Sequence, residues 1–479
     1  MSRRPGGRRA LPALLLALAA LAAPARAQLD RHELGLRLCA FERELDATAD
    51  PERRDRALQE LARAVRAFFG LAPAAVAVAI DDATWALRGV APSPEQRWAA
   101  ALQLRLARRL VARGSGTVVV HVGDAFLAPR VPGPPRQRPD GATLEVTVGD
   151  GPVQAFALDE LPCTLALALQ GVPAGDLPLR WRVRSGDTTW IERQQGVSVA
   201  EDLAARLDRI DEPPPHALPA LEAATLPHLA RLVRGMTRPR AGETVLPGAR
   251  LLAEAEALRQ LPEGGAWYGP TRPGDFWLRV PLGPGPDAEV ATVRLVVPAG
   301  LRADRPVPLV LALHGAGGSE NLFCDGYGDG AIVARCAERG WILCAPRSSG
   351  FGGVDAAALA AALAKRFPVD LERTVLVGHS MGAMQATGRA VAAPRRFAAV
   401  AALGGGGAVR AAAGLTELPF LVATGGRDFA RDGALALAEA LRALGTPVEV
   451  WDEPAVEHLS VVQLALPTVF AFFDRVLAR

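Results

Sequence analysis

From about residue 305 to the C-terminus, short and continuously apolar runs alternate with helical text. The runs are "PLVLALHG", "GWILCAP", "RTVLVGHS", "FAAVAALGG", "PFLVATGG" and "PVEVWDEP". Between them lie "GAIVARCAERG", "VDAAALAAALAKRF", "MGAMQATGRAVAA" and "DGALALAEALRALG", and "SVVQLALPTVFAFFDRVLAR" closes the chain. A strand that is apolar at every position has no face to offer water. Strands of this kind, alternating with helices, predict a parallel sheet covered by helices on both faces. Two more strand-like runs precede them, "FWLRVPL" and "ATVRLVVP", joined by a Gly/Pro turn and read as a hairpin. Together they make eight strands.

The third of the continuous runs ends in an unusual way. In "RTVLVGHSMGAMQATGRA", Ser380 stands between Gly378 and Gly382 where strand text gives way to helix text. A chain that turns from strand to helix in so few residues is crowded at the bend. Glycine tolerates both the close approach and the unusual dihedrals. A serine that merely capped a helix would need no flanking glycines. The G-x-S-x-G spacing, here with His379 before the serine, is the pattern of a nucleophile elbow.

A serine hydroxyl needs a base, and the base needs an orienting carboxylate. Behind such an elbow the acid and the histidine follow in chain order. Of seven histidines, only His314, His379 and His458 lie in this part of the chain. His314 sits in the loop after an early strand, and His379 adjoins the nucleophile and points away from it. His458, after the last strand, is the candidate base. Asp428 in "TGGRDFARDG" follows the preceding strand immediately and is the candidate acid. Asp432, Asp452 and Glu457 are the alternatives, with Asp432 better placed to cap the next helix. An oxyanion needs fixed N–H donors. The candidates are the backbone of Met381, and Ala316 or Gly317 in the "HGAGGSE" loop. No Lys-Ser/Thr pair follows those glycines, so the loop is not a P-loop. Phe323, Tyr327 and Phe351, on two nearby loops, are candidate substrate-binding walls.

Together, "LHGAGG", "DLERTVLVGHSMG", "TGGRD" and "EH" resemble the α/β-hydrolase superfamily. More narrowly they are similar to its secreted poly(3-hydroxybutyrate) depolymerase and feruloyl-esterase-like branches, and to prolyl-oligopeptidase-like hydrolases related to dienelactone hydrolase. The resemblance spans about residues 264–479. It implies the α/β-hydrolase fold, a mostly parallel eight-stranded sheet with helices on both faces. It also implies a serine esterase that works through Ser380, Asp428 and His458 with no metal or organic cofactor. Ala383 stands where many such proteins have a further glycine. A serine peptidase and an inert hydrolase-fold binding protein are the competing readings. No long insertion separates Ser380 from the Asp428 strand, so the site is either open or covered by another part of the chain.

The first 27 residues read as a secretory signal. Arginines precede the apolar run at residues 10–23, and Ala25-Arg26-Ala27 offers a cleavage site. This predicts a secreted or periplasmic protein. The segment holds five arginines and no acid, so its loss turns a net charge of +3 into −2. A near-neutral chain argues against nucleic acid as a partner. No second long apolar run stands out, which predicts no membrane span after signal removal. Residues 28–263 read as a mixed α+β accessory domain, mostly helical to about residue 127, including "QRWAAALQLRLARRLVARG", with a short β-like run "TVVVHV" at Thr117–Val122. A proline-rich stretch at 128–141 then leads into alternating strands such as "ATLEVTV" and "LRWRVRSGDTTWIER". Residues 264–479 hold the catalytic text. The odd count of five cysteines leaves at least one thiol free; a Cys324 pairing with Cys336 or Cys344 and buried free thiols are both open, and no metal-ligand spacing occurs. The expected partner is an ester, bulky or polymeric esters included. The sequence does not speak to oligomeric state.

Overall fold

The computed structural model describes residues 31–124, 138–238, 244–285, 287–348 and 353–478. The segment read as a signal, Phe351 and most of the proline-rich stretch lie outside the described residues.

Three helices come first: α1 (Arg31–Ala47), α2 (Pro51–Phe69) and α3 (Pro73–Arg88). Proline occupies the first turn of α2 and of α3, where its missing N–H costs nothing. Asp50 caps α2 by accepting the N–H groups of Glu52 and Arg53. The three helices close on a small core of their own, with Phe41, Leu45, Leu61 and Ile80 at its centre.

The short α4 (Pro94–Ala100) opens with a Ser93/Gln96 capping box. Eight strands follow: β1 (Leu102–Leu106), β2 (Leu110–Ala112), β3 (Thr117–Asp124), β4 (Thr143–Val148), β5 (Gln154–Ala157), β6 (Cys163–Ala168), β7 (Gly175–Ser185) and β8 (Thr188–Ala200). They form a three-stranded sheet, β1-β3-β6, and a five-stranded sheet, β2-β8-β7-β4-β5. Leu104, Val118 and Val120 of one sheet and Leu144, Trp181 and Val183 of the other share a core. The strict alternation of β4 and β7 has that cause. The inward residues pair as Trp181 with Val146, and Arg182 opposite Glu145 stays at the surface.

One expectation is corrected here. Residues 102–106 and 110–112 are strands, not a continuation of the preceding helix. A Leu-x-Leu-x-Leu run fits a helical face and a strand face alike. Pairing of β1 with β3 along its whole length, and of β2 with β8, decides for strand.

Helices α5 (Leu203–Asp211), α6 (Ala220–Met236) and α7 (Gly248–Arg259) lead to the large sheet. Its elements are β9 (Gly274–Pro281), β10 (Val290–Val297), β11 (Val307–Leu313), α8 (Ala331–Arg339), β12 (Ile342–Pro346), α9 (Ala356–Ala364), β13 (Val369–His379), α10 (Met381–Ala392), β14 (Ala399–Leu403), β15 (Phe420–Gly425), α11 (Arg431–Ala443), β16 (Val448–Glu453) and α12 (Ser460–Leu477). The strands lie in the order β16-β15-β14-β13-β11-β12-β10-β9. Neighbours from β12 to β16 run parallel, while β10 is antiparallel to both β9 and β12.

Alternate residues of the central strands enter opposite cores. Leu309 and Leu311 of β11 join α6, α7, α9, α10 and α11 on one face. Val310 and Ala312 join α8 and α12 on the other. The core on the first face does not divide at residue 264, because Leu229, Leu251 and Leu252 pack with Trp277 and Leu278 of β9. Buried Glu222 of α6 reinforces that seam, accepting the N–H groups of Trp267 and Tyr268 and pairing with Arg366. By length and composition α12 could cross a bilayer, yet it lies on the sheet with Phe470, Phe472 and Phe473 fully buried. All five cysteines are free thiols, so the spacing-based pairings do not form.

Candidate active site

Ser380 occupies the single residue between β13 and α10, at φ 55° and ψ −115°. For an L-residue this backbone is strained, and it persists only where the surroundings enforce it. They do so by close packing. A Cβ on Gly378 would lie 2.2 Å from the carbonyl oxygen of Gly382, and one on Gly382 would lie 1.9 Å from that of Leu313. Neither glycine can carry a side chain. The Ser380 N–H donates to Leu403 O at 2.8 Å, which ties the bend to the next strand.

His458 lies on the turn between β16 and α12. Its Nδ1 is 2.7 Å from Asp428 Oδ1, and both side chains are buried. Asp428 ends the turn after β15, and the same oxygen accepts the Ala430 N–H at 2.8 Å. The structure thus places Ser380 and His458 on the wall of one cavity, with Asp428 behind His458, from the ends of β13, β16 and β15. The alternative acids are occupied elsewhere. Asp432 is exposed in the first turn of α11. Asp452 pairs with Arg431. Glu457 is fully buried, and its carboxylate accepts the N–H groups of Leu459 and Ser460 at the start of α12. Burial raises the pKa of that carboxyl.

His379 has a structural part that the sequence reading passed over. Its Nε2 is 2.8 Å from His458 O, and a carbonyl can only accept, so Nε2 carries the proton. Burial holds its pKa well below the ordinary value, so the ring is neutral and Nδ1 is an acceptor. The Tyr327 hydroxyl donates to it at 2.6 Å and itself accepts the Gly315 N–H at 3.3 Å. One chain of hydrogen bonds therefore links the glycine loop, the residue before the nucleophile and the backbone of His458. His314 steadies the same loop, donating to Gly315 O at 2.8 Å while its other nitrogen accepts the Ser348 N–H.

The glycine loop lies against the nucleophile: a Cβ on Gly315 would sit 3.3 Å from that of Ser380. Ala316 and Gly317 follow on the cavity wall, with Gly317 at φ 79°. The Met381 N–H opens α10 directly after the serine, at the positive end of that helix. Of the three residues read as substrate walls, Phe323 is corrected to a core residue. It is fully buried, off the cavity, and packs edge-on against Tyr327. Tyr327 does line the cavity, but its hydroxyl is taken up by His379 and Gly315. Phe351 lies outside the described residues.

The missed neighbours are aromatic residues at the rim. The Phe429 ring is 4.2 Å from that of His458, and Phe69 meets Phe429 edge-on at 5.2 Å. A signal for the second was present: adjacent phenylalanines at 68 and 69 cannot share one face of α2, so one of them must leave the helical core.

No protein-family model and no curated sequence matches this chain. Among solved structures it is similar to a ferulic acid esterase at 17% identity, over 39% of this chain and 93% of the other, with a TM-score of 0.34. An S-formylglutathione hydrolase from Agrobacterium tumefaciens gives 17%, 39%, 91% and 0.32 by the same measures. A putative dienelactone hydrolase from Klebsiella pneumoniae gives 17%, 42%, 99% and 0.34. At superposition scores this low, what the site can do is carried by its own residues.

Proposed function

We propose that this chain is an exported serine hydrolase that cleaves carboxylic esters. One observation carries the reading: a serine held in strained backbone at a strand end lines one cavity with His458, whose Nδ1 is 2.7 Å from buried Asp428. His458 Nε2 accepts the Ser380 proton as Oγ bonds to the ester carbonyl carbon. Asp428 accepts the Nδ1–H bond, which fixes the tautomer and stabilises the imidazolium. The N–H groups of Met381 and of Ala316 or Gly317 receive the oxyanion. As the C–O bond breaks, the proton passes from His458 to the leaving alcohol. Water then attacks the acyl-enzyme, gives its proton to His458, and Ser380 leaves with that proton.

The test is labelling with a fluorophosphonate probe beside hydrolysis of p-nitrophenyl acetate. Stoichiometric labelling at Ser380, abolished in Ser380→Ala together with ester hydrolysis, is expected. Absence of both in folded wild-type protein would leave an inert hydrolase fold.

A further inference from the structure

The cavity in front of Ser380 measures about 990 Å³. That is the upper end of the range for sites that enclose a whole small molecule. An acetyl group would leave most of it empty. Its far wall does not come from the large sheet or its loops. It is built by the N-terminal helices, through Leu34 and Leu38 of α1, Val65 and Phe68 of α2, and Val76 and Ile80 of α3, and is continued by β7, β8 and residues 244–247.

The placement of these helices is held by contacts around the cavity. Arg31 donates to Gly317 O at 2.7 Å, so α1 grips the glycine loop itself. The Asp329 N–H donates to Glu42 at 2.9 Å, and Arg43 pairs with the Asp329 carboxylate. Gln463 of α12 donates to Glu42 O and to Asp46. Arg427, next to Asp428, pairs with Asp55 of α2.

Most charges on the cavity wall have partners. Asp325 pairs with Arg294, Arg43 pairs with Asp329, Asp176 accepts from Ser198 and from the first N–H groups of α7, and Arg31 and Arg180 donate to the carbonyl oxygens of Gly317 and Gly149. Beside Arg31, His32 and Arg43 of α1, what the helices bring to the cavity wall is mostly hydrocarbon. At the mouth, the aromatic rim is open to solvent: Phe69 is 52% and Phe429 64% exposed. A single exposed phenylalanine is ordinary. Two in edge contact beside the base of an apolar cavity form a path for an apolar group.

Resting on the proposed esterase reading, we infer that the natural substrate is an uncharged ester carrying a long or bulky apolar group. That group lies in the cavity roofed by α1–α3 and passes Phe69 and Phe429 on its way in. The chemistry is an extended hydrocarbon or aromatic group, which could belong to the acid or to the alcohol of the ester.

The experiment measures kcat/KM along two series. One is p-nitrophenyl esters from acetate to decanoate, and the other is acetate esters from ethyl to decyl. Burial of each methylene allows up to about a fourfold gain. A rise of more than tenfold between the two-carbon and eight-carbon members is expected in one series, and that series identifies the occupant. A flat or falling profile in both overturns the inference. Leu38→Trp places a large ring on the half-buried helical wall and should lower the eight-carbon to two-carbon ratio in that series at least tenfold. Leu34→Trp repeats the test at a second position, and an unchanged ratio in both folded variants also overturns it. Failure of the esterase reading looks different: no member of either series is cleaved and no fluorophosphonate label is taken up.

Discussion

Gly404, just after β14, bears most directly on whether the Asp428–His458 pair drives turnover. Its φ is +54°, and a Cβ there would stand 2.9 Å from Asp428 Oδ2, 3.2 Å from Val461 Cγ1 and 3.3 Å from His458 Nδ1. In Gly404→Ala the left-handed backbone costs about 1–2 kcal/mol. Crowding in a packed site adds about 1–3 kcal/mol. Relief of the contact requires the carboxylate to move by several tenths of an ångström, and a displacement near 1 Å can cost on the order of 10²-fold in rate. A fall in kcat of about ten- to a hundredfold follows. Gly340→Ala is the control. Its φ is +66° and nothing lies within 4 Å of the added methyl, so it carries the backbone cost alone. The assay is kcat on p-nitrophenyl acetate for both variants, beside thermal melting by circular dichroism. Should Gly404→Ala fold and keep kcat within threefold of wild type, turnover does not depend on this pair.

Asp428→Asn should lower kcat by about 10³–10⁴, while Asp432→Asn, altering an exposed first-turn residue, stays near wild type; the reverse pattern in ester hydrolysis would move the acid by one helical turn. Arg193 of β8 pairs with Glu33 of α1 and Asp81 of α3, and Arg37 pairs with the same two acids. Arg193→Met leaves two buried carboxylates to one guanidinium and should destabilise by about 3–5 kcal/mol in urea unfolding; a loss under about 1 kcal/mol would refute the shared network. Glu42 has its pKa pushed up to about 8 by burial. Between the ordinary carboxylate range and that value the folded chain holds a proton that the unfolded chain has lost, so stability falls as pH rises through this window. Glu42→Gln stays neutral and keeps an oxygen for the Asp329 N–H. Urea unfolding at pH 5 and 8.5 should show its stability declining less than wild type's, by a few kcal/mol at most, and equal declines would contradict the assignment.

The parts legible in the sequence are those whose causes are local. Gly378 and Gly382 are forced by backbone contacts within the bend and with the neighbouring strand, so they read as plainly in the text as in the structure. The continuous apolar runs follow from burial on both faces, as Leu311 and Ala312 show by entering opposite cores. Chain order alone pointed to Asp428 and His458. The strands at 102–106 and 110–112 were hidden because their leucine spacing satisfies two periodicities and only the partners β3 and β8 choose between them. Phe323 misled because a loop residue two places after Asn321 can face the cavity or the core with equal sense from sequence. The roof was invisible for another reason. Nothing in "AFFGLAP" names a partner, and Phe69 meets Phe429 only through the docking of whole helices.

The roof and the nucleophile lie far apart along the chain. Cys39 reaches Asp325 O and Arg31 reaches Gly317 O across 286 residues, and Gln463 reaches Glu42 O across 421. During synthesis α1–α3 can meet β8 through Arg193, but their docking against the glycine loop and α12 waits until those later segments have been made. Contacts this distant form late and slowly. Until then Leu34, Leu38 and the Phe68-Phe69 tip are exposed apolar surface without a floor beneath them. The nascent chain is therefore prone to aggregation at these helices, and the cavity is complete only once α12 has been made.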